Sequence, residues 1–165
     1  MKKIAFAAAV ALLGLGSPAV AQDSDFDSRE MIPYFTKTNL ETIAAQLEPT
    51  KTEWRQIGDG EESLVITLPS GLIVIAKAAG CGSGRCVGLS LTALWQKKET
   101  QSDAEVHDAL ATFNDTAVPT AFLQRNGVIA MTHYVIADYG IPQGNIVVML
   151  EVFDAYGQRL SEILR

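Results

Sequence analysis

Two cysteines, Cys81 and Cys86, carry the most reactive side chains of this chain, and they stand among Gly80, Gly82, Gly84 and Gly88 with no third thiol. In an oxidising compartment such a pair closes a small disulfide loop, because the glycines let the backbone fold back on itself. Closing so short a loop contributes about 2 kcal/mol in the chain-entropy account. The spacing is not the Cys-x-x-Cys of thioredoxin-like enzymes, and no helix signal follows to lower a thiol pKa, so redox catalysis is the alternative reading of the pair. Two cysteines supply half of a tetrahedral metal set and neither histidine is near in sequence, so no metal site is expected.

Other catalytic signatures are absent from the sequence. His107 and His133 belong to no His-x-x-x-His or Cys/His cluster, and Ser83 is flanked by Cys81 and Arg85 rather than by the glycines of a nucleophile elbow. The Gly80 to Gly88 stretch fails the Gly-x-Gly-x-x-Gly register and lacks a Walker lysine, which leaves a hairpin tip and no nucleotide cofactor. Asp59, Glu61 and Glu62 read as a solvated turn, without the alternating ligands of an EF-hand. Asn114-Asp-Thr116 matches the glycosylation sequon. Trp95, Phe122, Tyr134 and Tyr139 are the candidate protein-contact residues, since aromatic side chains are enriched where proteins meet.

These residues must be positioned by an α+β domain. Thr38 to Glu41 reads as a capping box opening a helix with Leu40, Ile43, Ala44 and Leu47 on one face, stopped by Pro49. Apolar, β-branched runs follow at Leu64 to Leu68, Leu72 to Ala78 and Val87 to Gln96, with a shorter mixed run at Glu53 to Ile57 and a turn at Pro69 to Gly71. Their connections are too short for crossover helices, so neighbouring strands are expected to be antiparallel. A second capping box, Ser102 to Glu105, opens a helix with Val106, Ala109, Leu110 and Phe113 inward. Arg125-Asn-Gly127 then joins two strands, an Asn-Gly hairpin signal. Pro142 suits the first position of a closing helix whose stripe runs from Ile146 to Leu164, with a bend expected at Gly157. The expected order is helix, three to four strands, helix, two strands, helix.

The first twenty-one residues give an address. Lys2 and Lys3 precede an apolar run from Ile4 to Leu15, and Ala19 to Ala21 places small residues where a signal peptidase reads, so cleavage between Ala21 and Gln22 is expected. The apolar run falls short of the roughly 20 residues that span a bilayer, and no stable membrane insertion is expected after cleavage. Residues 22–37, with Asp23, Asp25 and Asp27, read as a disordered lead-in, and residues 38–165 as one domain. Loss of Lys2 and Lys3 from 13 basic residues leaves 11 against 19 acidic ones, a net charge of −8. Scattered cations in so acidic a chain exclude nucleic acid as an expected partner.

From Ser102 onward the pattern resembles the YbjN family, described as bacterial sensory transduction regulators with a fold similar to the type III secretion chaperones. The resemblance rests on Asn114 at a helix end, the strand Ala121 to Arg125, the Asn-Gly turn, the strand Val128 to Ile136, and Val148 to Phe153 in the closing helix. It covers roughly residues 38–164. It implies a non-enzymatic protein-binding or regulatory module with a chaperone-like surface for a protein or peptide segment, working as a homodimer, and it carries over no catalytic residues. The signal peptide and the cysteine loop depart from typical members and place this chain in the bacterial periplasm or outside the cell. The alternatives are a periplasmic redox protein using Cys81 and Cys86, and a structural or stress-related envelope protein without a dedicated ligand.

Overall fold

The computed structural model describes residues 26–58 and 62–165. The expected leader and its cleavage point, and Asp59 and Glu61, lie outside the described residues. In chain order come β1 (Met31–Ile32), α1 (Lys37–Ala45), β2 (Lys51–Gln56), β3 (Glu62–Thr67), β4 (Ile73–Gly82), β5 (Arg85–Gln96), α2 (Asp103–Asn114), β6 (Thr120–Leu123), β7 (Val128–Ile136), β8 (Ile141–Pro142) and α3 (Gln143–Ile163). Strands β2 to β7 form one antiparallel sheet in the order β2-β3-β4-β5-β7-β6. The architecture is α+β, in the order expected, with the short β1–β8 pair added. The Pro69 to Gly71 turn forms because Gly71 takes φ +87°, which lets its N–H reach the Leu68 carbonyl at 2.9 Å.

Both capping boxes exist, but the first is displaced. The N-cap of α1 is Thr36, whose hydroxyl accepts from the Asn39 N–H at 3.2 Å while the Asn39 side chain accepts from the Thr36 N–H. Thr38 lies inside the helix, which frees Glu41 to accept a hydrogen bond from the Trp54 indole at 2.6 Å. A side-chain amide closes the box as well as a carboxylate does, so the earlier start wins. The second box is where the sequence puts it: Ser102 caps α2 and the Glu105 carboxylate accepts from the Ser102 N–H at 2.8 Å.

That bond, with the Ser102 hydroxyl, holds the Glu105 carboxyl below its usual range. A depressed carboxylate stabilises the fold above its unfolded pKa, and the contribution is lost as pH falls through the folded value. The first turn of α2 should therefore loosen below about pH 4. Glu105→Gln keeps an acceptor oxygen without the titration, and should flatten the acid-side loss of helical circular dichroism.

One face of the sheet carries Leu64, Ile66, Val74, Ala76, Leu89, Leu91 and Met131 into the core, where Ile43, Phe113, Phe153 and Leu160 of the helices close over them. Helix α3 runs unbroken through Gly157, where a bend was expected. Gly157 serves close approach: a methyl group there would lie 2.6 Å from Leu72 Cδ2. Gly157→Val should therefore cost about 1–3 kcal/mol of overpacking despite better helix propensity, visible as a lower urea midpoint with an unchanged slope.

The lead-in is corrected from Phe26 onward. Ile32 and Phe35 are buried, Phe26 packs against the core, and β1 pairs with β8. The Gln143 and Gly144 N–H groups donate to Glu30 and Ser28 carbonyls, both at 2.9 Å. The acidic composition concealed three apolar anchors. Pro142 stands one position earlier than expected, as the N-cap of α3 with φ −60° and ψ 136°.

Strand β6 is one edge of the sheet, and its outward polar groups are not left to solvent. The Asn114 side chain at the end of α2 donates to the Ala121 carbonyl and accepts from the Ala121 N–H, both at 2.8 Å. An amide side chain thus stands in for a seventh strand at one residue. The opposite edge, β2, is protected by charge, with Lys51 and Arg55 flanking Glu53.

Candidate functional site: the uncovered face of the sheet

The three helices lie on one side of the sheet, and the other side has no covering element among the described residues. Side chains alternate along each strand, so the register places Lys51, Glu53 and Arg55 of β2 outward beside Thr67, Val65 and Ser63 of β3. Val65 adjoins Ile75 of β4, Ile75 adjoins Thr92 of β5, and Thr92 adjoins Thr132 of β7. One row along, Leu94 pairs with Ala130 and Ala130 with Phe122, while Ile73 lies two residues beyond Ile75 on the Leu94 side. Ile73, Leu94, Phe122, Tyr134 and Ile136 are 43–62% exposed there, whereas Ala130 is sunk between Leu94 and Phe122.

Tyr134 pairs across the ladder with Ser90 but leans along β5 over Gly88. A methyl group on Gly88 would fall 1.9 Å from the Tyr134 hydroxyl oxygen, so only glycine admits the ring at this place. The phenol therefore extends the apolar surface toward the β4–β5 tip, where Cys81 and Cys86 are bonded to each other. That tip also holds the N-terminal segment. The Phe35 N–H donates to the Cys86 carbonyl at 2.7 Å, and the Arg85 guanidinium stacks on the Tyr34 ring at 5.4 Å. Cys81 and Cys86 thus sit in a hairpin tip whose backbone is engaged in a structural contact.

Charge separates this face from the rest of the molecule. Glu53 is the one acid among its described outward strand positions, in a chain with 19 acidic residues. Its carboxyl is held below the usual range first by the hydrogen bond from Lys51, which outweighs the opposing loss of hydration, with Arg55 adding to it. Six strands about 4.8 Å apart and five residues deep at about 3.3 Å each give a projected face on the order of 400 Å². Among the described outward positions its charges are confined to Lys51, Glu53 and Arg55 on the β2 edge and to Lys77 of β4, which leaves an apolar stretch from Ile73 through Leu94 to Phe122, within the size range of the largest apolar patch of a monomer, a patch that is often functional.

Of the four aromatic candidates, the structure brings Phe122 and Tyr134 together on this face. Trp95 points the other way, packed on the core with its indole donating to Ser161 at 3.0 Å. Tyr139 stands almost wholly in solvent on the turn before β8, in the left-handed region at φ 70°. Ile73, Leu94 and Ile136 were missed, although the sequence hinted at them: β4 and β7 carry apolar residues at both parities, more than one buried face requires. No helix among the described residues is long and apolar enough to cross a membrane.

The fold has a solved counterpart in "Crystal structure of YbjN, a putative transcription regulator from E. coli", with a TM-score of 0.56 over 82% of this chain and 92% of that one, at 10% identity. At that identity the likeness establishes the fold. No curated protein sequence matches the chain significantly. The family model YbjN, "Putative bacterial sensory transduction regulator", matches residues 39–163, from the first helix to the end of the last. With the element order, the Asn114 edge contact and the closing helix in the same span, the chain belongs to the YbjN family.

Proposed function

We propose that this chain is exported, is cleaved after Ala21, and acts in the periplasm or beyond as a non-enzymatic regulatory module that holds a protein segment on its uncovered sheet face. The observation that supports this most is the face itself: an apolar stretch from Ile73 through Leu94 to Phe122, with Glu53 its one acid among the described outward strand positions, in an acidic chain. The family description speaks of regulation, and the export signal directs that role to protein contacts rather than to DNA. A net charge of −8 after cleavage opposes phosphate binding. The Cys81–Cys86 bond serves the same reading by fastening the β4–β5 hairpin tip toward which Tyr134 of β7 extends the face.

A photo-reactive amino acid at Ile73 tests the contact in living cells, with the same probe at Val118 as the off-face control, a somewhat more exposed residue in the α2–β6 connection. A discrete adduct from Ile73 and none from Val118 is expected, in the envelope fraction, on a chain whose N-terminus is Gln22. Equal labelling at both positions would remove the sheet face from the proposal, and a cytosolic, uncleaved chain would remove export.

A further inference from the structure

The tip of the β4–β5 hairpin is set off from the sheet that carries it. The ladder pairs Ala79 with Gly88 and, two residues on, Cys81 with Cys86 and Gly82 with Arg85. Between these rungs Gly80 takes φ +60°, and the Val87 carbonyl accepts instead from the Ala137 N–H at 2.7 Å. The kink leaves the last two rungs as a short ladder of their own. Residues 81–85 are all exposed, and a methyl group on Gly82 or Gly84 would meet nothing within 4 Å. The tip is therefore thinly packed, with Arg85 against the Tyr34 ring and the Cys81–Cys86 bond as its covalent closure.

The turn at its end is under tension. Ser83 and Gly84 both lie in the left-handed region, at φ 51° and 76°, as a two-residue hairpin turn requires. Glycine takes that conformation freely, whereas serine does so at a cost. The rungs and the disulfide hold Ser83 there.

What the tip fastens is the N-terminal segment. Phe35 bridges Cys86 itself, its N–H donating to the Cys86 carbonyl at 2.7 Å, and its ring is 3% exposed. The rest of the segment is held elsewhere, by the β1–β8 pair and by the Gln143 and Gly144 N–H groups. Opening the tip would thus loosen Phe35 and leave those anchors in place.

Two further properties suit a bond that is broken and remade in the folded chain. Cys81 lies in the exposed stretch while Cys86 is partly buried, so an incoming thiolate meets the Cys81 sulfur. The bond also spans five positions, and so short a loop adds least to global stability when closed. The core around Leu89, Leu91 and Met131 lies inward of the Gly80 kink and has its own packing.

We infer that the Cys81–Cys86 bond is a redox-sensitive latch, which fastens the Phe35 stretch to the hairpin tip when oxidised and releases it when a dithiol reduces it. One thiolate of the dithiol attacks Cys81 Sγ. The bond between the two cysteines breaks, and Cys86 leaves as a thiolate that takes up a proton. The second thiol of the reductant, losing its proton, attacks the mixed disulfide and expels Cys81, which is protonated in turn. The dithiol ends as a disulfide and the two cysteines as thiols. This inference does not rest on the sheet-face reading.

Hydrogen exchange of the purified chain, with its bond formed and then treated with dithiothreitol under native conditions, tests the latch. Trapping with iodoacetamide should find both thiols without any denaturant. The Phe35 amide should then exchange about tenfold faster or more, while the Leu91 and Met131 amides at the sheet centre keep their rates. A chain carrying both Cys81→Ser and Cys86→Ser should show the fast Phe35 exchange from the start and no response to the dithiol. Should that variant fail to fold, the reduced, unaltered chain carries the comparison alone. A bond that yields only after urea unfolds the chain overturns the inference. So does reduction that leaves the Phe35 amide unmoved, or that speeds exchange throughout the sheet. None of these outcomes touches the sheet-face proposal, whose probe is Ile73.

Discussion

A chain carrying both Leu94→Asp and Phe122→Asp should keep its fold and lose the contact made by its sheet face. Both side chains are more than two-fifths exposed and flank the buried Ala130. Aspartate disfavours strands, but substitutions at such positions cost about 1 kcal/mol or less, and the inward core of β5 and β6 is unchanged. Binding responds differently, because an apolar segment laid across this row would have to desolvate two carboxylates without cations to pair them. Residues at the centre of an interface contribute about 2 kcal/mol or more each, so the photo-adduct from Ile73 should fall about a hundredfold or more. The urea midpoint should meanwhile move little. If the adduct persists at full yield, the partner does not lie across the Leu94–Phe122 row.

Asn114→Leu should be the more damaging change to stability, although Asn114 is itself an exposed residue. Leucine has the same branching as asparagine with bulkier, apolar ends and keeps Ala121 covered, so water cannot easily replace the lost amide. The Ala121 N–H and carbonyl would both be left without partners beside a residue that is 3% exposed. Each buried group so stranded costs about 1–3 kcal/mol, and equilibrium unfolding should show a loss in that range or above it. A second effect follows from topology. With its cap removed, β6 presents a short, uncharged, apolar edge, the kind that templates pairing with another chain. Light scattering should therefore show concentration-dependent aggregation that the parent lacks. Asn114→Asp separates the two bonds, since a carboxylate still accepts from the Ala121 N–H but repels the Ala121 carbonyl. Its defect should ease at acid pH, where protonation restores a donor. The same geometry engages the amide nitrogen of the Asn114-Asp-Thr116 sequon, so a glycan there would compete with the edge of the sheet.

Much of the fold was legible because its signals are local. A capping box needs four residues, a strand run five or six, a turn a proline and a glycine, and each was readable without knowing its neighbours. The α2 box, the Pro69 to Gly71 turn and the antiparallel order followed from such patterns. The α1 box shows the limit of that legibility. Thr36-x-x-Asn39 and Thr38-x-x-Glu41 are both credible starts, and the choice turned on whether Glu41 was wanted elsewhere. It was wanted by Trp54, thirteen residues away and on another element. The lead-in was misread for a related reason, since Phe26, Ile32 and Phe35 gain their burial only against the sheet and α3.

The sequence by itself determined the class of the domain, the order of its elements and the acidity of the chain. These depend on composition and on periodicities of two and about 3.6 residues, which are written along the chain. Tertiary structure alone decided which faces meet. Trp95 and Tyr134 are both aromatic residues near strand ends, yet pairing register sends one into the core and the other over Gly88. Ile73, Leu94 and Phe122 lie far apart in sequence and become one surface only because β4, β5, β7 and β6 align side by side. Gln143 meets Glu30 across 113 positions for the same reason. A site made of residues from several strands is a property of register, and register is set by all the strands together.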